Sequence, residues 1–495
     1  MNITHVIDDH ADTDGVALVH RDTQITYAQL VARTGSVQAG LSSLGVAPGD
    51  RVMLVAGTTP DFVASLFGIL RAGAVAVPVN PLAPAPEMSI EIDAVEPAAI
   101  MVGPSGVASL GGCEVAVPVI TLPGASLDGA IAYEDFVVVD ERPAPVDRSP
   151  DDLALLLFTS GTAGSPKAAM MSHGNLQANI DQVDAHAADL TGANDTALGV
   201  LPMFHILGLN LLLGVILRSG GSIVLVQRFD PVGTIDLIKR HHVTVVSGPP
   251  AMWQAWVNLP EVDPADFASV RLAISGAAAL PREVANRVGE SLGLPLTQGY
   301  GLTEAAPVLT LGAGTGAPAT SVGRPVPGVQ LRLVDVNGND APVGDEGEIW
   351  ARGANIFSGY WNNPEATADA LTDDGWLRTG DIGVVDDDGF LYIVDRTKDL
   401  VVVSGFNVYP GEVEEALRSH PGVRDAAAVG IPHPDTGEAV KAFVTAGADT
   451  ALDEEEIIRF CESRLARYKC PQAVEVVDEL PRGGAVGKLR RRALR

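Results

Sequence analysis

The sequence predicts an α/β protein, with a large N-terminal region of several subdomains whose sheets are flanked by helices and a smaller α+β unit at the C-terminus. Three observations predict it. Helical periodicity alternates with short apolar runs through the first half of the chain, the pattern of strands joined by crossover helices. Beyond Lys398 the texture changes to closely spaced strands and helices over about a hundred residues, the size of an independent domain. The 495 residues, 46% of them hydrophobic, also exceed what a single core organises.

Residues 30–44 have the spacing of an amphipathic helix, 51–56 of a strand, 61–72 of a helix and 74–79 of a second strand. The continuous apolar run 153–158 reads as a buried strand. The alternation resumes with a strand at 223–226, a helix at 230–241 and strands at 243–246 and 272–274. Residues 344–350 and 391–395 are strands rich in β-formers, and 382–385 is another. In the C-terminal unit, 400–403, 426–431 and 440–445 read as strands. A helix at 411–419 starts after Pro410. The helix at 453–465 opens on Asp453 and three glutamates, with Ile457, Ile458, Cys461 and Leu465 on one face. Two apolar stretches are core rather than membrane segments: 62–79 is interrupted by Arg71 and Gly73, and 206–217 is too short to span and carries Asn210. The nearest thing to a linker is the proline-bearing stretch 143–150.

Charge and cysteine content narrow the function classes. Lys+Arg number 33 against Asp+Glu 62, a formal charge of -29. Such a surface repels nucleic acid and anionic lipid, while a local basic pocket for a nucleotide remains compatible with it. Cys113, Cys461 and Cys470 form no Cys-x-x-Cys pair and no metal-ligating cluster with His, and the first eleven residues lack an apolar signal core. A reduced cytoplasmic protein with no integral membrane segment is expected.

The stretch Phe158-Thr-Ser-Gly-Thr-Ala-Gly-Ser-Pro-Lys167 carries the chemistry. Thr159, Ser160 and Thr162 offer hydroxyls, Gly161 and Gly164 allow backbone N–H groups close to an anion, and Lys167 adds a cation. It comes directly after a predicted strand, so it would emerge at that strand's carboxyl end. The spacing is not that of a Walker loop. Taken alone, the same composition is that of an ordinary polar turn.

Four further motifs occur in order: Gln298-Gly-Tyr-Gly-Leu-Thr-Glu304, Trp376-Leu-Arg-Thr-Gly-Asp381, Asp395-Arg-Thr-Lys-Asp399 and Gly487-Lys488. With the Thr-Ser-Gly-Thr loop, the set resembles the adenylate-forming superfamily of acyl-CoA synthetases, 4-coumarate ligases, luciferases and peptide-synthetase adenylation domains. The resemblance runs from about Thr26-Tyr27 to Lys488. It implies an N-terminal AMP-binding domain over residues 1–397 and a small mobile domain over 398–495, turning about a hinge at Lys398. It also implies ATP, Mg²⁺ and coenzyme A as cofactors and co-substrates, with a small carboxylic acid as substrate.

The resemblance assigns residues to roles. Thr159, Ser160, Gly161, Thr162, Ala163 and Lys167 would hold the ATP phosphates. Gln298, Gly299 and Tyr300 would line the adenine site, and Thr303 would reach a phosphate. Glu304, a hard oxygen ligand, would bind Mg²⁺ together with Thr159. Asp381 and Arg396 would meet the ribose. Lys488 would bridge the carboxylate and the α-phosphate during adenylation. Lys398, Glu304 and His205 complete the catalytic set. Ser404, Gly405 and Phe406 would line the path of the CoA thiol. Ala163 stands where a second Thr or Ser is more common, and Val486 where a Ser or Thr precedes Gly-Lys.

Leu201-Pro-Met-Phe-His-Ile-Leu-Gly-Leu-Asn210 matches the segment bordering the family's acyl pocket. His205 stands where amino-acid-activating members carry an Asp, which disfavours an amino acid. Leu207 stands where 4-coumarate ligases carry a Tyr. With Leu207, Gly276, Ala277 and Gly301 as acyl-contacting residues, the expected substrate is an apolar acid, a medium- or long-chain fatty acid before an aromatic one. A core helix over 207–213 explains the same leucines equally well. The sequence carries no carrier domain after Arg495, which favours free CoA over an acyl-AMP ligase that loads a carrier protein in trans. A non-catalytic acyl- or nucleotide-binding regulator is the alternative from another class. The oligomeric state is open, a homodimer being one option.

Overall fold

The computed structural model describes the chain apart from residues 1, 138–142, 160–165, 188–189, 261, 397–398, 400, 404–405, 434–436, 448–451, 463, 466, 484–487 and 495, and apart from the side chains of residues 395, 396, 402, 406, 407, 488 and 492. Two compact units emerge. One comprises residues 1–319, 323–330 and 351–377, the other residues 320–322, 331–350 and 378–495.

The first unit contains two sheets. One has nine strands in the spatial order Arg324–Pro325, Val308–Leu311, Leu296–Gly301, Leu272–Ser275, Val245–Gly248, Thr196–Gly199, Ser222–Leu225, Val16–His20 and Thr23–Thr26. Its central pairs are parallel and its edge pairs antiparallel. The other has seven strands in the order Ile131–Ala132, Val119–Thr121, Ala99–Val102, Arg51–Val55, Val75–Pro78, Leu153–Thr159 and Lys167–Ser172. All of its pairs but the last are parallel. Parallel neighbours need crossover connections, and the periodic helices between them supply these.

Local signals start those helices where they should. Thr26 and Gln29 form a reciprocal capping box ahead of Tyr27–Ser43. Thr59 caps Pro60–Arg71, with proline at the first turn, and Asp230 caps Pro231–His241. In Pro60–Arg71 every residue but Asp61 is buried, including Arg71, whose guanidinium pairs with Asp8 and donates to the Pro143 carbonyl at 3.1 Å. That apolar stretch is core, as expected. One of the first unit's cores centres on Trp253, Trp256 and Phe267, whose rings meet edge to face at 5.3 and 5.5 Å.

In the second unit, strands Gln330–Val334, Gly347–Arg352, Leu377–Val385 and Leu391–Arg396 form a sheet in that order. A five-stranded sheet joins Phe406–Val408, Val401–Val403, Gly437–Ala446 and Val423–His433, with Ala473–Val476 parallel to Gly437–Ala446. Helices Pro410–Arg418 and Glu454–Glu462 pack on it, and Ile457 and Cys461 lie in the core as their periodicity requires.

Several boundaries differ from expectation. The helix expected over 453–465 ends at Glu462, where Leu465 N–H closes back on the Cys461 carbonyl at 2.8 Å. The strand expected over 344–350 is Gly347–Arg352, and that over 243–246 is Val245–Gly248. Residues 143–150 do not link domains. The Val146 N–H donates to the Arg71 carbonyl at 2.8 Å, and the Ala144 carbonyl accepts from Gln38 at 2.9 Å.

Candidate active site

Strand Leu153–Thr159 ends where the phosphate-loop motif begins, and antiparallel pairing returns the chain at Lys167, directly opposite Thr159. Ser160, Gly161, Thr162 and Ala163 lie outside the described residues. Their two anchors are joined, since the Thr159 hydroxyl donates to the Lys167 carbonyl at 3.4 Å.

A segment that the motifs do not include runs alongside the returning strand. The Met170 N–H donates to the Gly359 carbonyl at 2.9 Å, Ser358 N–H to the Met170 carbonyl at 3.0 Å and Trp361 N–H to the Ala168 carbonyl at 2.8 Å. This pairing sets Tyr360 beside Lys167, whose ammonium lies 5.2 Å from the ring centroid. The Tyr360 hydroxyl donates to Glu304 Oε1 at 2.6 Å. Burial, and then the Glu304 carboxylate, push that hydroxyl far above the ordinary phenol range, so it stays a donor. Lys167 and Glu304, distant in sequence, thus meet at one tyrosine, and Thr159 is joined to them through the Lys167 carbonyl. Sequence reasoning passed over Tyr360; the cluster Gly359-Tyr-Trp361 was its only signal.

Glu304 sits on the short turn Thr303–Ala305 after strand Leu296–Gly301. Buried asparagines hold this segment. Asn355 Nδ2 donates to the Ala305 carbonyl at 2.8 Å, and Asn210 Nδ2 donates to that of Ala306 at 2.6 Å. Asn179 exchanges two bonds with Val308, at 2.9 and 3.0 Å. The Phe357 N–H donates to the Glu304 carbonyl at 2.9 Å. A side chain added to Gly301 would run into the Pro307 carbonyl oxygen, so only glycine lets the two backbones approach. Gln298 donates from Nε2 to the Ala319 carbonyl at 2.7 Å, and its own carbonyl accepts from the Gly312 N–H at 2.8 Å. Gly299 and Tyr300 come next on the same strand, opposite Leu311 and Thr310.

Of the candidate acyl residues, Leu207 opens a π-helix, Leu207–Gly214. This wider winding is rare and is frequent at functional sites. His205 precedes it, with its ring 4.7 Å from that of Phe204. Its Nε2 is buried and has no hydrogen-bond partner among the described residues. Burial lowers its pKa, which keeps the imidazole neutral near pH 7. A small apolar cavity lies beneath the helix, lined by Leu211, Leu212, Ile216, Leu272 and Ile274, with the Thr191 and Ser247 residues also on its wall. At Gly276 a Cβ would meet nothing within 4 Å, and Ala277 beside it has φ 68.

In the second unit, Asp381 and Arg396 are direct cross-strand partners of a hairpin, which explains their spacing of fifteen residues. Asp381 is buried, and its N–H donates to Thr379 Oγ1 at 3.1 Å. Gly380 N–H donates to Glu348 at 3.1 Å. Lys398, Ser404 and Gly405 lie outside the described residues, as do the side chains of Arg396, Phe406 and Lys488. The Lys488 backbone pairs with Gly483.

The sequence profile of the AMP-binding enzyme family matches residues 8–361, more than half of the chain. The chain belongs to this family. Residues 412–488 of this AMP-binding enzyme match the family's C-terminal domain as well. A feruloyl-CoA synthase of Amycolatopsis sp is 37% identical over 482 residues, covering 96% of this chain and 95% of that protein. A long-chain-fatty-acid–CoA ligase of Escherichia coli O6:H1 is 35% identical over 519 residues, covering 97% and 91%. The crystal structure of ATP-bound MatB from Rhodopseudomonas palustris matches with a TM-score of 0.91 at 32% identity, covering 100% of this chain and 98% of that one. This AMP-binding enzyme is of the adenylate-forming, acyl-CoA synthetase type.

Among the described residues no helix is long and apolar enough to cross a membrane, and no group of three or more His, Cys, Asp or Glu side chains could cage a metal ion. Mg²⁺ needs no such cage, being typically held by one or two carboxylates and by substrate phosphates. Glu304 fits that need. One of its oxygens accepts from Tyr360, and a carboxylate keeps lone pairs for a further partner.

Proposed function

We propose that this AMP-binding enzyme activates an apolar carboxylic acid, a medium- or long-chain fatty acid first, to acyl-AMP and then transfers the acyl group to coenzyme A. In the first step a carboxylate oxygen attacks the α-phosphorus of ATP in line and the bond to pyrophosphate breaks. In the second the CoA thiol attacks the acyl carbonyl, and AMP leaves with the carboxylate oxygen. Attack of one anion on another is slow in water, so positioning and charge neutralisation supply most of the rate.

The described geometry supports a division of labour. Thr159 and Lys167 anchor the loop given to the phosphates, Tyr360 orients Glu304, and Mg²⁺ held by Glu304 and Thr159 would offset phosphate charge. Thr303 is assigned to a phosphate, the Gln298–Tyr300 backbone and the Tyr300 ring to adenine, Asp381 and Arg396 to ribose, and Lys488 to the adenylation transition state. Neutral His205, with an unpartnered nitrogen, is assigned to the acyl end. Lys398 is the proposed hinge, and Ser404, Gly405 and Phe406 the proposed path of the thiol.

The observation that carries the choice of acid is the apolar composition of the Leu207–Gly214 helix that follows His205, with leucine at 207. A feruloyl-type acid is the second reading, favoured by the 37% identity to a feruloyl-CoA synthase. Pyrophosphate release with ATP, Mg²⁺ and acids from acetate through long fatty acids and cinnamates, with and without CoA, tests both. Release with C8 to C16 fatty acids and acyl-CoA formation with CoA are expected. Release with ferulate alone would select the second reading, and release without acyl-CoA would point to a carrier protein as acceptor.

A further inference from the structure

The stretch before Lys488 reads Gly483-Gly-Ala-Val-Gly487. Beyond Lys488 the chain is firmly held. Strand Lys488–Leu489 pairs with Arg482–Gly483, and Arg490 N–H donates to the Pro481 carbonyl at 2.8 Å. Leu489 and Leu494 pack against Ala427, Val429, Phe443 and Leu480. Between those two leucines, Arg491 turns inward. Its Nε and Nη2 donate to the two oxygens of Glu414, each at 2.9 Å, and its Nη1 donates to Asp399 Oδ2 at 3.0 Å.

The receiving carboxylate is fixed independently of Arg491. The Glu414 side chain is only 4% exposed; it lies on helix Pro410–Arg418, accepts the Ala428 N–H at 2.9 Å and pairs with Arg418 at 3.3 Å. A planar fork on two oxygens sets direction as well as distance, which a single point charge does not. The third arm ends on the residue next to Lys398.

We propose that Arg491 is a positioning residue for Lys488. It pins the chain three residues beyond the lysine to helix Pro410–Arg418 and to Asp399 beside the assigned hinge, and so fixes the backbone that carries Lys488 for its assigned contact with the α-phosphate. This rests on the adenylation role proposed for Lys488. Small misplacements of a group that acts in the transition state lower its rate steeply, so Arg491 acts on the first half-reaction and not on the second.

The test separates the half-reactions. Acid-dependent pyrophosphate release is measured with the acid that the wild type activates, and CoA capture with its chemically prepared acyl-AMP. Arg491→Ala is expected to lower kcat of pyrophosphate release about 10- to 100-fold with KM for ATP within about twofold, and to leave CoA capture within about twofold of wild type. Added to Lys488→Ala, it causes no further loss, because residues acting as one unit are not additive. Arg491→Lys recovers part of the rate. An additive double variant, or an equal fall in both half-reactions, overturns the proposal. Should Arg491→Ala fail to fold, Asp399→Asn keeps the Glu414 pair and is expected to slow adenylation severalfold with CoA capture intact; unchanged adenylation in that variant overturns the proposal. If Lys488→Ala itself adenylates normally, the reading of Lys488 falls and this inference with it. Additivity alongside an impaired Lys488→Ala removes the inference alone.

Discussion

Tyr360 joins Lys167 and Glu304 through its ring face and its hydroxyl. Tyr360→Phe keeps the face and removes the donor, a loss of roughly 1.5–3 kcal/mol for a bond to a charged group. The Mg²⁺ concentration giving half-maximal pyrophosphate release is expected to rise severalfold; an unchanged Mg²⁺ titration would detach Tyr360 from the metal site. Gly276 tests the acyl side, because a larger side chain there has open space ahead of its Cβ. Gly276→Leu is expected to fold and to lower kcat/KM for long acids about tenfold or more while sparing short ones. An unaltered acid profile would place the acyl group elsewhere. Glu304 is legible in the sequence because its neighbours form a motif with an ordered set of partners. Tyr360 is not, because its role comes from strand pairing that brings residues 358–361 against 168–170, and no spacing along the chain encodes that contact.

The starts after Thr59, Asp230 and Pro410, which a cap or a proline marks, were read to within a residue. The end of the helix expected over 453–465 was less legible, since the Leu465 N–H closes back on the Cys461 carbonyl and no residue type marks that bond. The asparagines that hold the Glu304 segment were hidden for the same reason: Asn179 and Asn355 bond to carbonyls far off in sequence. The start of helix His173–Asp184 yields a prediction of its own. The Ile3 N–H donates to His173 Nδ1 at 3.2 Å, so the proton lies on Nε2, and Nε2 is buried without a partner among the described residues. Burial first, with Arg148 next, pushes His173 down from 6.5 to about 4. With the folded value below the unfolded one, its contribution is complete above about pH 6.5 and is lost as pH falls toward 4, about 3 kcal/mol in all. The urea midpoint of the wild type should therefore fall more steeply between pH 7 and 4.5 than that of His173→Gln. Parallel curves would contradict this.

At the scale of the whole chain, the α/β class was legible because period-2 and period-3.6 patterns alternate, and the C-terminal unit because its elements are closely spaced. The composition of the second unit was not, because it gathers residues 320–322 and 331–350 from the far side of 351–377. A linear reading has no means of grouping separated stretches. The charge of -29 still predicts a molecule whose phosphate affinity is local rather than general. In the proposed reaction one carboxylate oxygen becomes bonded to phosphorus. Its most direct test uses the activated acid labelled with ¹⁸O in both carboxylate oxygens, with ATP and CoA, and mass spectrometry of the products. AMP carrying a single ¹⁸O, with unlabelled pyrophosphate, is the predicted result. Unlabelled AMP, or label in pyrophosphate or phosphate, would contradict activation through an acyl adenylate.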